Sequence, residues 1–193
     1  MKNAGTKWLS LLLCLGVLLA LAACGASGGN PDTGAGQEAD AGNGAAESAE
    51  EAAQTQTLQL GTSPYAVTIP ASYVSGEMTE EDVADDQVGY YYSDAFLLDF
   101  DVYQFSKEGY PDTLAAFVME EAADYAGTDI VTDGEINGIP VASYRSVEAS
   151  EGVDYNVITY AFENGDEYLE IAFWLDGDTA EAEADAIIQT LTK

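Results

Sequence analysis

The stretch that decides the fold runs from Gly138 to Leu175 and reads GIPVASYRSVEASEGVDYNVITYAFENGDEYLEIAFWL. It contains three runs rich in β-branched and aromatic residues, GIPVASYRSVE, VDYNVITYAFE and EYLEIAFWL, separated by the linkers ASEG and NGD. Runs of this length and composition are typical of strands, and glycine beside a small polar residue is typical of tight turns. The stretch therefore predicts three antiparallel strands in a meander.

Further strands are predicted on the N-terminal side. In LQLGTSPYAVTIP, residues Tyr65, Val67 and Ile69 alternate with smaller residues before Pro70 stops the run, which is a hairpin-type signal. After the polar acidic loop SGEMTEEDVADD come two more strand candidates, QVGYYYSD and AFLLDFDVYQF. In the second, period-two alternation predicts an apolar core face (Phe96, Leu98, Phe100, Val102) and a face that is at least partly wet (Asp99, Asp101, Tyr103).

Two segments have helical rather than strand periodicity. YPDTLAAFVMEEAADYAG predicts an amphipathic helix, capped by Asp112 at its start and ended by Gly127, with a buried stripe at Leu114, Phe117, Val118, Ala122 and Tyr125. DTAEAEADAIIQTL predicts a terminal helix, in which Asp178 and Glu181 form a capping-box-like start and the stripe is Ala184, Ile187, Ile188 and Leu191. The order of elements is strands, helix, antiparallel strands, helix.

This pattern resembles the Mog1/PsbP-like superfamily. The resemblance is carried by YAVTIPASY, the mid-chain helix, EINGIPVASYRS, YNVITYAFENGDEYLEIAFWL and the terminal helix. It implies an α+β domain, an α/β/α sandwich around an antiparallel sheet, over residues 55–193. It implies no single function, because members of the superfamily are accessory or binding subunits with different partners. The chain lacks a basic patch, so a nucleotide-cycle or nucleic-acid partner does not carry over.

The N-terminus is typical of an exported lipoprotein. Lys2 and Lys7 precede the apolar run WLSLLLCLGVLLALAA, and the sequence LAACG around Cys24 resembles the lipobox of bacterial lipoproteins. We predict a signal peptide at 1–23, lipidation of Cys24, and a flexible acidic linker rich in Gly, Ala and Ser at 24–54. The protein is then anchored in the cell membrane on its extracytoplasmic face. The alternatives are an ordinary secretory leader, in which Cys24 is incidental, and an uncleaved anchor.

Composition narrows the possible chemistry. The chain has 35 acidic residues, 5 Lys and Arg and no His, and a formal charge of −30. Binding to nucleic acid needs clustered Lys and Arg, so nucleic acid is excluded as a partner. Without histidine, and with Cys24 as the one thiol outside the leader, histidine triads, cysteine proteases and the usual zinc sites are excluded as well. Lys107 is expected to be a solvated surface lysine, and Arg145 to pair with a neighbouring acid.

These observations favour a non-enzymatic module with no cofactor and no metal site. It would bind an unknown protein or envelope partner through the exposed face of its sheet or through the region from Gly76 to Asp94. One alternative is a carbohydrate-active or substrate-capturing protein, with paired carboxylates and sugar-stacking aromatics at Tyr90, Tyr91, Tyr92 and Trp174. The other is weak calcium binding at one of two acidic segments: Asp176, Asp178, Glu181 and Asp185, or Glu80, Glu81, Asp82, Asp85 and Asp86.

Overall fold

The computed structural model describes residues 54–96, 98–150, 152–177 and 180–193. The strands in these ranges are β1 (Thr55–Gln59), β2 (Ala66–Pro70), β3 (Val74–Ser75), β4 (Gln87–Tyr92), β5 (Leu98–Ser106), β6 (Thr128–Ile136), β7 (Ile139–Ser150), β8 (Val153–Asn164) and β9 (Glu167–Leu175). The helices are α1 (Glu80–Ala84), α2 (Leu114–Asp124) and α3 (Ala180–Ile188). None of these helices is long and apolar enough to cross a membrane. The predicted signal peptide, Cys24 and the predicted linker up to residue 53 lie outside the described residues.

The first two strands form the predicted antiparallel hairpin, which is separate from the main sheet. Tyr65, Val67 and Ile69 are buried, and Pro70 is the last residue of β2. The backbones of Ala66 and Thr192 exchange two hydrogen bonds, of 2.9 and 3.0 Å. The hairpin is therefore tied to the C-terminal segment of the chain.

The remaining strands form one seven-stranded antiparallel sheet in the order β3-β4-β5-β9-β8-β7-β6. The predicted meander is confirmed, because β7, β8 and β9 are neighbours in sequence order. Strand β5 pairs with β9 over its full length, from Leu98 opposite Leu175 to Ser106 opposite Glu167. Strand β9 consequently lies in the middle of the sheet, between an N-terminal and a C-terminal group of strands.

Strand β6 was not foreseen in the sequence. It pairs with β7 across a two-residue turn formed by Asn137 and Gly138, whose φ angles are +51° and +80°. Positive φ at both central residues belongs to the type I′ turn, which favours an Asn-Gly pair. The Asn-Gly dipeptide was thus the available signal, but β6 is an exposed edge strand without the alternation of a half-buried one.

Each face of the sheet carries its own buried core. On one face, the α3 face, helix α3 and the β1–β2 hairpin cover residues that include Phe100, Ile171 and Phe173. On the other, the α2 face, helix α2 packs through Phe117, whose ring stacks on Tyr168 with a centroid distance of 4.1 Å. Helices on both sides of an antiparallel sheet form the predicted α/β/α sandwich. The stripes of both predicted helices are buried, except that Tyr125 is only partly so.

The caps of α2 differ from the prediction. Thr113, not Asp112, is the N-cap, and its side chain accepts a hydrogen bond from the Ala116 amide; Asp112 is exposed. At the other end, Ala126 rather than Gly127 adopts the left-handed conformation, with φ of +52°. Gly127 is needed for a different reason, because a Cβ atom there would lie 2.9 Å from the Cβ of Ala122.

The predicted acidic loop at 75–86 contains a short helix, α1. Thr79 and Asp82 form a capping box, in which the Asp82 side chain accepts from the Thr79 amide at 2.6 Å and the Thr79 side chain accepts from the Asp82 amide at 3.2 Å. At the start of α3, Asp178 lies outside the described residues. The Glu181 side chain accepts a hydrogen bond from Arg145.

Candidate functional site

Helix α2 covers only part of its face of the sheet. It packs against β6, β7 and β8, and among the described helices only the short α1 contacts β4. The strand pairing puts Tyr90 opposite Asp101 and Asp99 opposite Trp174, so these side chains share this area. We call the area the open face and define it by Gln87, Tyr90, Tyr92, Asp99, Asp101, Tyr155 and Trp174.

Asp101 lies at the centre of the open face. It is 9% exposed, although the sequence predicted a wet position. Its two carboxylate oxygens accept hydrogen bonds from the Gln87 Nε2 amide at 2.7 Å and the Trp174 Nε1–H at 2.8 Å. These two donors explain how a carboxylate can be buried between strands, since both of its oxygens are hydrogen-bonded.

Burial has the largest effect on the pKa of the Asp101 carboxyl. The pKa of this carboxyl is raised to about 7: loss of hydration raises it most, the hydrogen bond from Trp174 lowers it, and the charges of Asp82, Asp99 and Glu148 raise it. A carboxyl with this pKa changes its charge near neutral pH. The centre of the open face is therefore partly protonated in neutral solution.

Asp99 lies two residues away on the same strand and face. It accepts a hydrogen bond from the Tyr90 hydroxyl at 3.2 Å. Burial raises the pKa of its carboxyl, the bond from Tyr90 lowers it, and the charges of Asp176 and Asp94 raise it. The two carboxyls of β5 thus share an environment that is both apolar and negative.

Aromatic rings form the rest of the open face. Tyr90 stacks against Tyr92 with a centroid distance of 5.7 Å, and Tyr155 meets Trp174 edge-on at 6.1 Å. Tyr92 is 37% exposed, and the other three rings are partly exposed. The chain at Gly76 crosses close to the Tyr90 ring, where a Cβ atom would collide with it. The Gly76 amide also donates to the Tyr90 carbonyl at 2.8 Å, which holds this crossing in place.

Three of the four aromatic residues singled out in the sequence lie on the open face. The fourth, Tyr91, points to the opposite side of the sheet and stacks on Phe100 at 5.1 Å, so it is a core residue. The sequence did not single out Gln87, Tyr155 or the buried state of Asp101 as parts of a site. Alternation alone placed Asp99 and Asp101 on one face, but nothing local indicated that Trp174 would lie over them.

The positive charges of the described ranges lie elsewhere. Lys107 pairs with Glu163 at 3.3 Å and lies 4.7 Å above the Tyr168 ring, so it is partly buried and not the solvated lysine expected from the sequence. The prediction that Arg145 pairs with an acid is confirmed, because it binds Glu181 and lies 3.9 Å from Asp129. Lys193 lies 5.0 Å above the Tyr65 ring.

The other sites considered from the sequence receive no support from the described geometry. In the described part of the chain, no three acidic residues lie close enough together to hold a metal ion. A surface cavity of about 290 Å³ lies outside the open face, beside Tyr125, Thr128, Asp129, Arg145, Ser146 and Asn156. Asp99 and Asp101 lie two residues apart on one strand, and each accepts a hydrogen bond from a neighbouring side chain.

Comparison with known proteins identifies the fold and nothing finer. No protein-family model matches the sequence. No curated protein matches it significantly. A crystal structure from Bacteroides thetaiotaomicron VPI-5482 matches 66% of this chain at 18% identity with a TM-score of 0.47, and the chain spans only 44% of that protein. The solution structure of cyanobacterial PsbP (CyanoP) from Synechocystis sp. PCC 6803 matches 81% of this chain and 97% of its own at 9% identity, with a TM-score of 0.54.

Cys24, the predicted lipidation site, lies outside the described residues, and its modification stays a prediction. The match to CyanoP covers most of both chains, so the two proteins share an overall architecture. At this level of identity such a match establishes architecture and not activity. The described domain is an α+β sandwich whose fold is similar to that of cyanobacterial PsbP.

Proposed function

We propose that this protein is a non-enzymatic, membrane-anchored lipoprotein that works on the extracytoplasmic side and binds a partner through its open face. The anchor is a lipid on Cys24, and the linker that follows separates the domain from the membrane. Two acyl chains on one cysteine provide stable attachment, because each buried methylene contributes about 0.8 kcal/mol. The strongly acidic domain is repelled by anionic lipid, so the anchor rather than the protein surface would hold it there.

The observation that carries the binding proposal is the composition of the open face. Partly exposed aromatic rings on a sheet that is otherwise covered on both sides are unusual for a surface with no partner. Tyrosine and tryptophan are the residues that protein interfaces favour, since they combine a large apolar area with a polar group. The ring pairs Tyr90–Tyr92 and Tyr155–Trp174 provide both properties on rigid strands.

An accessory role fits this site better than catalysis. Both oxygens of Asp101 are occupied by hydrogen bonds from the protein, and Asp99 accepts a bond from Tyr90. Neither carboxyl is paired with a nucleophile or a base within the described contacts. Two carboxyls that are hydrogen-bonded within the protein and surrounded by aromatic rings suit recognition of a partner's surface.

Site-specific photo-crosslinking in producing cells tests the binding proposal. A photoreactive phenylalanine derivative replaces Tyr92 in the full chain, and a matched control carries it at Met119, which is exposed on helix α2. We expect one discrete adduct from position 92, none from position 119, and loss of the adduct when Trp174→Leu is added. Equal adducts at both positions, or none at position 92, would refute binding through the open face.

The anchor has an independent test. The Cys24→Ser variant is expected to lose incorporation of a labelled fatty acid and to leave the membrane fraction or remain unprocessed. Cys14→Ser is the matched control and should behave as the unaltered chain. Unchanged fatty-acid labelling of Cys24→Ser would show that the lipid is not on this cysteine.

A further inference from the structure

We infer that the partner of the open face is a polypeptide segment rich in arginine or lysine, laid across the strands. This inference rests on the proposed function, since it names the chemistry of the partner that the open face would bind. Charge complementarity carries it, supported by the kind of rings present and by the shape of the surface.

The open face contains two carboxyls, and none of the described cations forms an ion pair with either of them. Burial and surrounding acids raise the pKa values of Asp99 and Asp101, while hydrogen bonds from Tyr90 and Trp174 lower them. The acids whose charges reach these two carboxyls are Asp82, Asp94, Glu148 and Asp176. The three described cations, Lys107, Arg145 and Lys193, are all engaged at other places. A cationic partner would therefore relieve repulsion that the fold itself leaves in place.

Aromatic rings beside carboxylates suit guanidinium and ammonium groups in particular. A cation over the face of a tryptophan or tyrosine gains about 0.5–1 kcal/mol at an exposed site, and a neighbouring carboxylate adds a charge-assisted hydrogen bond. The chain already uses this contact with its own cations, as Lys107 over Tyr168 and Lys193 over Tyr65 show. On the open face, Tyr92 and Trp174 lie beside acids without such a cation from the described residues.

The shape of the surface favours a polypeptide over a small cation. From β4 to β8 the open face crosses four neighbouring strands, a width of about 14 Å at about 4.8 Å per strand. An extended segment of about five residues covers this width. The surface cavity described above lies elsewhere, beside Asp129 and Arg145. Charges spaced along a peptide would meet the acids on both sides of the rings.

Titration with defined probes tests the inference. The full chain carries Trp8→Phe in a non-ionic detergent, so that Trp174 is its one tryptophan and reports on the open face. The probes are a fluorescein-labelled hexapeptide of alternating arginine and glycine, the same peptide with glutamate for arginine, and spermine. We expect saturable binding of the arginine peptide with a change in Trp174 fluorescence, weakened by salt, and no binding of the glutamate peptide.

Variants distinguish specific binding at the open face from nonspecific electrostatic attraction of the peptide to an acidic protein. Tyr92→Ser and Asp99→Asn should each weaken binding of the arginine peptide about tenfold. Asp133→Asn and Glu135→Gln, which remove charges from the exposed part of β6, should change it less than twofold. Circular dichroism confirms that each variant is folded. Equal losses in both groups, no binding of the arginine peptide, or equally tight binding of spermine would overturn the inference.

The two proposals fail in different ways. If Tyr92 crosslinks a partner in cells but the arginine peptide does not bind, the open face is an interface for a partner of other chemistry. If the peptide binds at the open face but no adduct forms in cells, the chemistry is correct and the proposed physiological role is wrong.

Discussion

Replacing Asp101 by asparagine should change how the stability of this protein depends on pH. The folded carboxyl has a pKa of about 7, raised by burial, against an ordinary value of 3.8. Between these values the folded state holds a proton that the unfolded state has released, so the free energy of unfolding falls as pH rises. At 1.36 kcal/mol per pH unit, Asp101 removes about 3 kcal/mol between pH 5 and pH 8.

An asparagine side chain cannot ionise, so this contribution disappears in the Asp101→Asn variant. The new amide must still accept the bond from Trp174, and Gln87 must turn its own amide to accept from the new NH₂ group. The cost of that rearrangement, about 1 kcal/mol, is the same at every pH and does not affect the slope. The comparison between pH 5 and pH 8 therefore isolates the buried charge.

Urea unfolding of the full chain at pH 5, 6, 7 and 8, followed by far-ultraviolet circular dichroism, measures this difference. The unaltered chain should lose about 3 kcal/mol more stability than Asp101→Asn over this range. Asp133→Asn, which removes an exposed carboxyl from β6, is the control and should keep the steep dependence. If the slopes of the unaltered chain and Asp101→Asn agree within about 0.5 kcal/mol, burial does not raise the pKa of Asp101 in the way described.

Other changes test individual contacts by the same unfolding measurement. The Tyr73 hydroxyl is buried without a hydrogen-bond partner among the described residues, so Tyr73→Phe should stabilise the domain by about 1 kcal/mol. Tyr65→Phe, its matched control, loses a 2.8 Å bond to the Glu163 carbonyl and should destabilise it by about 1 kcal/mol; the same sign for both would contradict this account. Thr113→Ala removes the N-cap of α2 and should cost about 1 kcal/mol, whereas Asp112→Ala should cost less than half of that. Gly76→Ala should displace the Tyr90 ring and weaken binding of the arginine peptide, and an unchanged affinity would show that Tyr90 is not needed there.

Local patterns were sufficient for most of the fold. The period-two run in β5 placed Leu98, Phe100 and Val102 in the core, and helical spacing located α2 and α3. The predictions that were wrong concern helix caps, where neighbouring residues could play the same role. Threonine and aspartate are both favoured at the N-cap, and the local sequence does not show whether Asp112 or Thr113 will occupy that position.

The open face shows what local patterns leave out. Trp174 and Asp101 are 73 positions apart, and their hydrogen bond exists because β5 pairs with β9 rather than with β6. That pairing is a choice among several similar strand edges, and the packing of both cores decides it. The burial of Asp101, and with it the raised pKa, follows from this long-range contact.

By itself the sequence determined the acidic charge and the alternation that makes an antiparallel sheet with helices on both sides, and it predicts a lipidation site at Cys24. These are local properties, set by side-chain chemistry and by periods of 2 and 3.6 residues. Only the tertiary structure decided that Tyr90, Tyr92, Tyr155 and Trp174 would surround two carboxyls while Tyr91 joins the core. The physical reason is that strand order decides which side chains become neighbours on each face of the sheet. Strand order in turn depends on the packing energy of the whole domain.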